Sequence, residues 1–321
     1  MAEGLTFYSK SELICPVCGV GHKREEMLTG RGRFNAGALS NELRRSYIAT
    51  QKFGEVNPLI YPVAVCPSCL FAADKDDFTK VPPKSVEQLL ELQQVRGKYM
   101  LKIFGMVPDF VGPRELISGI GSYILAISSS PFLDKRKQAP TIKMGIYSLR
   151  TAWLMIDLFR QTNEPKYQEL SDLFYRKASE FYEQALELQS KGIEPLDGAR
   201  WLGPDTDYNF GYDGFLYIDA VLKYKTAVFM EDPIERVKCY EGVKRILSKV
   251  FGIGRKAKDK PEILLNLSRE VYDKIGEEVE KLKESLGDLN ELENLEQAVE
   301  EAAKQAAKED AQASAEAPAE E

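Results

Sequence analysis

The sequence predicts a mainly α-helical protein with a small cysteine-bearing unit at its N-terminal end. Three observations predict this fold class. Two short cysteine motifs lie in the first 80 residues, a helical pattern of apolar residues runs from Pro82 to about residue 286, and the rest of the chain is rich in alanine and glutamate. We therefore expect three regions, residues 1–80, 82–286 and 287–321, the last partly or wholly disordered.

Length and composition indicate a globular protein without a membrane span. A chain of 321 residues with 44% hydrophobic residues can bury a substantial core. Residues 1–15 lack the apolar run of a secretory signal. Residues 116–133 carry no charge, but five serines, two glycines and a proline in that stretch favour a buried helix over a membrane span. We expect a cytoplasmic location.

The net charge is unevenly distributed. The chain carries a net charge of -7, but residues 288–321 alone contain eleven acidic residues and two lysines. The remainder is therefore close to neutral. A nearly neutral body gives little support to strong binding of nucleic-acid phosphates.

Four of the five cysteines lie in two matching motifs, Cys15-Pro16-Val17-Cys18 and Cys66-Pro67-Ser68-Cys69. Two such turns brought face to face present four thiolates at the corners of a tetrahedron, which is the coordination of Zn²⁺ at structural sites. We predict one structural zinc site with Cys15, Cys18, Cys66 and Cys69 as ligands. Four thiolates would close the coordination shell, which argues against a catalytic zinc. A redox-active cysteine pair is the alternative.

His22 is the only histidine in the chain. It follows Cys18 by four residues and could replace one cysteine as a ligand, although exposure to solvent is the default expectation. The lack of a second histidine largely excludes serine or cysteine nucleophiles activated by imidazole. The fifth cysteine, Cys239, falls at a core position of its predicted helix and is expected to pack as a small apolar residue.

The segment between the two motifs is basic. Seven lysines and arginines stand against three glutamates in residues 19–52. The stretch could contact nucleic acid, but a solvated face is the simpler interpretation because aromatic residues are sparse. We predict a short helix over residues 40–52 with Ser40 as its N-cap, and a strand over residues 59–65 that leads into the second motif.

Start signals divide the region after Pro82 into successive helices. The predicted helices cover residues 85–104, 113–128, 165–190, 213–230, 233–251 and 261–286, and one more starts at Thr141 and extends at least to Phe159. A shift of 58 residues places Tyr182 and Ala185 on Tyr240 and Val243. This recurring helix face is typical of an α-solenoid, although ordinary amphipathicity is an alternative explanation.

One loop has a spacing that is partly typical of calcium sites. Residues 205–213 carry oxygen side chains at alternate positions, but the glycine comes one place late and Leu216 stands where a calcium loop has glutamate. A polar connection lying over the helices is the default interpretation. The aromatic residues in and beside this loop could also form a lip for a partner. They are Trp201, Tyr208, Phe210 and Tyr212.

The two motifs together with Asn57-Pro58-Leu59-Ile60-Tyr61 resemble an uncharacterised bacterial family. Its members share a Cys-Pro-x-Cys-Gly knuckle, an Asn-Pro-x-x-Tyr segment and a second Cys-Pro-x-Cys, followed by tetratricopeptide-like helices. Here Leu70 takes the place of the glycine expected after the second motif. The resemblance implies a zinc-ribbon-like unit, a tetratricopeptide-like helical-repeat body and a surface for binding other proteins. It implies no reaction.

These observations favour a cytoplasmic adaptor or scaffold that binds a protein partner on its helical surface, with zinc serving stability. The first alternative is association with nucleic acid through the basic stretch, which would make binding depend strongly on salt. The second is an enzyme of unrecognised type. That alternative would require a polar pocket with perturbed titratable groups between the helices.

Overall fold

Helices account for most of the structure, as the sequence predicts. A computed structural model describes residues 4–30, 32–252, 260–286, 297–302 and 304–305. The chain forms two compact units with the boundary after Leu222. Of the predicted region over residues 287–321 the structure describes only residues 297–302 and 304–305, and the predicted boundary near residue 81 stays a prediction.

The N-terminal part contains short strands that pair as antiparallel hairpins and ribbons. The pairs are β1 with β4, β2 with β3, β5 with β6, and β7 with β8. The strands are β1 (Thr6–Tyr8), β2 (Leu13–Ile14), β3 (Gly21–His22), β4 (Glu25–Met27), β5 (Ala36–Leu39), β6 (Arg45–Tyr47), β7 (Val63–Val65) and β8 (Ala72–Asp74). Each sheet has two strands only, so these elements depend on the packing around them for stability.

Helices follow from residue 75 onward. They are α1 (Lys75–Phe78), α2 (Val86–Glu91), α3 (Gln93–Phe104), α4 (Leu116–Ser129), α5 (Lys135–Gln138), α6 (Pro140–Thr162), α7 (Pro165–Ser190), α8 (Gly211–Thr226), α9 (Pro233–Phe251) and α10 (Glu262–Leu286). No helix in this described part of the chain is long and apolar enough to cross a membrane.

The helix predicted over residues 40–52 is wrong. This segment contains the turn between β5 and β6. Ser40 Oγ accepts hydrogen bonds from the amides of Glu42 and Arg44, so the serine closes a turn and does not cap a helix. Leu43 adopts a left-handed φ of 56° that ends any helical path, and its side chain is fully buried.

Two of the helix starts that carry proline are predicted correctly, whereas the helix predicted from Pro113 begins three residues later, at Leu116. α7 begins at Pro165, and α9 begins at Pro233, where the Asp232 side chain accepts from the amide of Ile234. Ser85 makes no side-chain cap, since the chain turns through a 3-10 segment before α2. Thr141 lies inside α6, where its amide and hydroxyl donate to Glu194.

The 23-residue helix α6 lies at the centre of the first unit and packs against α4 and α7. Most of its residues are buried, including Leu149 and Leu154, which are fully covered. The turn between β5 and β6 docks on the same helix. There Arg44 forms an ion pair with Asp157. The N-terminal segment therefore forms part of the first unit together with the helices.

The faces that suggested a repeat are buried in each unit. Tyr182 and Ala185 of α7 are 0% and 2% exposed, and Tyr240 and Val243 of α9 are both 1% exposed. The shared periodicity is therefore a shared core face. A tetratricopeptide-like stacking of the helices stays a prediction.

Candidate metal centre

The structure brings the four motif cysteines together. Their Sγ atoms all lie within 4.8 Å of one another. The Cys15 and Cys69 Sγ atoms are 3.6 Å apart, and those of Cys18 and Cys66 are 3.5 Å apart. Zinc–sulfur bonds of ~2.3 Å in a tetrahedron place sulfur atoms ~3.8 Å apart. The four thiols are free of disulfides and are placed so that they could hold a metal ion.

The two cysteine turns have the same backbone construction. In the first, Gly19 N donates to Cys15 O at 2.9 Å. In the second, Leu70 N donates to Cys66 O at 2.9 Å. Gly19 and Leu70 also share a left-handed conformation, with φ of 78° and 59°. Leucine in this conformation costs about 1–2 kcal/mol, so the turn geometry is held against a local backbone preference.

Leu70 is retained at this position by its side-chain packing. The side chain is only 6% exposed. A methyl group built on Gly97 of α3 would lie 4.0 Å from a Leu70 methyl, so the leucine packs against the open face of that glycine. Burial of a leucine side chain contributes about 1.5–3 kcal/mol, which offsets the backbone cost.

The centre lies inside a small hydrophobic core. Cys15, Cys66 and Cys69 are at most 1% exposed, whereas Cys18 is half-buried. The residues packed around them come from the cysteine turns, the N-terminal strands, α1 and α2. They are Val17, Ala64, Phe71, Ala73, Phe78 and Leu89. In such dry surroundings charges interact strongly, so a metal bound here would be held firmly and shielded from water.

Arg96 of α3 connects the helix to the second cysteine turn. The side chain is 1% exposed. Its Nε and Nη2 atoms donate to Cys69 O at 3.1 and 2.8 Å, and Nη2 also donates to Leu89 O at 2.6 Å. The pKa of Arg96 is lowered by burial, and the nearby charges of Cys69, Cys15 and Cys66 oppose that shift only in part. A buried guanidinium beside the thiols offsets the negative charge that four thiolates would bring.

The thiols cannot all ionise on their own. Hydrogen bonding with the neighbouring thiols of Cys15 and Cys69 lowers the pKa of Cys66. Hydrogen bonding with Cys15 and Cys66 raises the pKa of Cys69. Hydrogen bonding with Cys66 raises the pKa of Cys15 to about 12. A divalent cation removes this conflict, because it stabilises all four thiolates at once.

His22 is buried, so the expectation of solvent exposure is wrong. It lies on β3, is 7% exposed, and contacts the edge of Phe78 with ring centroids 5.9 Å apart. Neither ring nitrogen has a hydrogen-bond partner among the described residues. Burial lowers the pKa of His22, which favours the neutral ring. The group of possible metal ligands in the described chain consists of the four cysteines and does not include His22.

The loop at residues 205–213 is used for contacts within the protein. Asp205 accepts from the amide of Arg45 at 2.7 Å, and Asp207 forms an ion pair with the Arg45 side chain at 2.9 Å. Among the described residues, this loop brings no group of three or more possible metal ligands together, so the calcium interpretation is not supported. Trp201 and Tyr208 are exposed at 38% and 50%.

Two further predictions concern Phe210 and Cys239. Phe210 is buried, so only three of the four aromatic residues proposed for a partner lip reach the surface, the third being Tyr212. Cys239 is half-buried, and its Sγ lies 3.9 Å from Lys223 O. Cys239 therefore packs partly as the predicted small apolar residue, and part of its side chain is accessible to solvent.

The basic stretch provides less free charge than its composition indicates. Arg44 and Arg45 are paired with Asp157 and Asp207, and Arg24 is only 9% exposed. No sequence motif predicts a role for Arg96. Its position four residues before the buried Met100 is the one signal that could have placed it on the inner face of α3.

The comparisons with known proteins agree with the resemblance seen in the sequence. Residues 8–275 match the family described as "Uncharacterized protein conserved in bacteria (DUF2225)". A curated relative from Borreliella burgdorferi, described as an uncharacterized protein, is 37% identical over 279 residues, which is 87% of this chain and 99% of the relative. No solved structure matches the chain.

Proposed function

This chain belongs to the bacterial family DUF2225, and we propose that it is a cytoplasmic zinc protein whose metal is structural and whose helical surface binds a protein partner. The observation that carries the first half of the proposal is the convergence of four thiols within 4.8 Å. Thiolates favour soft or borderline metals, and four of them at tetrahedral spacing are typical of zinc. A reducing compartment keeps such thiols available for metal.

A structural role follows from the closed donor set. Four protein ligands leave no position for water or substrate on a tetrahedral ion. The ion would join two turns that are far apart in sequence, and Arg96 would couple the second turn to α3. We therefore propose that zinc fixes the position of α3 on the first unit.

The outer face of α3 is the proposed partner surface. Arg96 and Met100 face inward, while Val95 and Tyr99, four residues apart on α3, are 36% and 45% exposed. Met106, just after the left-handed turn at Gly105 that ends the helix, is 54% exposed. We call these three residues the α3 stripe. Aromatic residues and methionine are enriched at protein interfaces, and an exposed apolar stripe on a fixed helix supports a docking role.

The two halves of the proposal can be tested together. The tagged full-length protein is crosslinked in bacterial cells, once as wild type and once as the Tyr99→Glu/Met106→Glu variant. We expect a crosslinked partner that the variant loses while it retains zinc and its melting temperature. Lys166→Glu, on the exposed start of α7, is the matched control and should retain the partner.

Either of two outcomes would contradict part of the proposal. A crosslinking pattern that is the same for the wild type and the α3 variant would remove the docking surface. A wild-type protein purified without zinc from zinc-supplied cells would remove the structural metal. These results are independent, so the failure of one half is distinguishable from the failure of the other.

A further inference from the structure

The first unit contains a cavity, lined by several charged side chains, that the metal centre does not use. Its volume is about 380 Å³. The walls come from α6, from Asp74 and the first turn of α1, and from the loop after the 3-10 segment Leu196–Ala199. The described residues that line it include none of the motif cysteines.

One face of α6 forms the floor of this cavity. Lys143, Tyr147 and Arg150 line it at spacings of four and seven residues, which places them on one side of the helix. Lys143 forms a buried ion pair with Asp77 of α1. Arg150 donates to Pro204 O at 2.7 Å and thereby holds the loop wall. These two cations therefore fix the shape of the cavity.

Arg24 provides unused hydrogen-bond donors in the wall. The side chain is 9% exposed, and its Nε and Nη1 atoms have no hydrogen-bond partner among the described residues. Its backbone is fixed by Ser9, which donates to Arg24 O at 2.8 Å and accepts from Arg24 N at 3.1 Å. A buried guanidinium with unpaired donors is destabilising unless an acceptor binds to it, and carboxylate and phosphate match its geometry best.

The remaining charges leave the cavity suited to an anion. Five cations and three carboxylates line it. Asp77 is paired with Lys143, and Lys75 is paired with Glu26 at 2.6 Å outside the cavity. The other lining charges are the following: Arg24, Asp74, Asp76, Arg150 and Arg200. The charges of Asp74 and Asp76 act on Arg24, and that of Asp74 also acts on Arg150, so the five cations keep an excess over the three carboxylates.

We propose that this cavity binds a small organic anion, with its carboxylate or phosphate group on Arg24 and its less polar part against Trp201. The indole of Trp201 lies at the rim, is 38% exposed, and is fixed by a hydrogen bond from Nε1 to Asp205 O at 2.9 Å. The volume lies near the lower end of small-molecule pockets, which start at about 300 Å³. Charge and size together favour a metabolite over a macromolecule. The site is independent of the zinc and of the α3 stripe.

Calorimetry on the full-length zinc-loaded protein tests the proposal. The probes are inorganic phosphate, adenosine monophosphate and citrate, each titrated in a buffer free of other multivalent anions. We expect at least one to bind saturably. If the phosphate ester binds and phosphate alone does not, the organic part contributes; if citrate binds best, the group recognised is a carboxylate.

Arg24→Gln is the decisive variant. It should weaken binding at least about tenfold while changing the melting temperature of the free protein little, because Nε and Nη1 of Arg24 have no hydrogen-bond partner in that state. Arg160→Gln, a cation 70% exposed and outside the cavity, is the matched control and should bind as wild type. Should Arg24→Gln fail to fold, Arg200→Gln at the rim replaces it and should also weaken binding. The proposal is overturned if no probe saturates, or if the variant that folds binds like the wild type.

Discussion

Removing the guanidinium of Arg96 should damage both the stability of the first unit and its affinity for zinc. In Arg96→Met the side-chain volume is kept, but Cys69 O and Leu89 O lose their donors. A buried carbonyl left without a donor costs about 1–3 kcal/mol. Since methionine recovers some apolar contact, we expect a loss of about 3 kcal/mol in the free energy of unfolding.

The same substitution removes the positive charge beside the thiolates. Changing a residue that hydrogen-bonds to metal ligands commonly weakens metal binding about 10–100-fold, and we expect a loss in that range. Urea denaturation followed by circular dichroism gives the stability. Competition with a chromophoric chelator gives the zinc affinity.

Two variants separate charge from hydrogen bonding. Arg96→Lys keeps the charge but cannot reach both carbonyls, so it should retain most of the zinc affinity while losing about 1–2 kcal/mol. Gln93→Ala removes only an exposed hydrogen bond to Ser68 O and is the control, with an expected change below about 0.5 kcal/mol. If Arg96→Met stays within about 1 kcal/mol of wild type and binds zinc equally well, the assigned role of Arg96 is incorrect.

Three further outcomes are expected. Cys66→Ser should release zinc and unfold the first 80 residues, as measured by hydrogen exchange, whereas Cys239→Ser should retain the metal. A Cys66→Ser variant that keeps its zinc would count against the structural zinc site. Burial lowers the pKa of His22 in the folded protein, so below about pH 6.5 the unfolded state binds more protons than the folded state. The free energy of unfolding should therefore fall as the pH drops below about 6.5, by up to ~1.4 kcal/mol per pH unit. In His22→Phe this contribution should vanish, and an unchanged pH slope in urea titrations would refute it. Leu70→Gly should change the free energy of unfolding by less than about 1 kcal/mol, because relief of the backbone strain offsets the lost burial. Leu70→Ala keeps the strain and should cost about 2–3 kcal/mol in the same assay. Equal losses in the two variants would show that burial of Leu70 does not offset its backbone strain.

The elements that the sequence predicts well are those fixed by local chemistry. The four cysteines belong to motifs whose donors have few other uses, and proline at Pro165 and Pro233 fixes φ at a helix start. The mainly helical class follows from apolar periodicity over long segments, which a local pattern is sufficient to define.

The missed features depend on contacts between distant segments. Ser40 can cap a helix or close a turn with equal local merit, and the burial of Leu43 decides for the turn. His22 is buried by Phe78, which is 56 residues away in the chain. Arg96 looks like any helix-surface cation until the second cysteine turn is folded onto it. Long-range packing determines these side chains, so no local pattern reveals them.

X-ray absorption at the zinc edge, on protein purified from cells supplied with zinc, tests the central claim most directly. The account predicts one zinc ion per chain with four sulfur neighbours at ~2.3 Å and no nitrogen or oxygen neighbour. A metal-free protein that is nonetheless fully folded, or a zinc ion with mixed nitrogen and oxygen ligands, would contradict it.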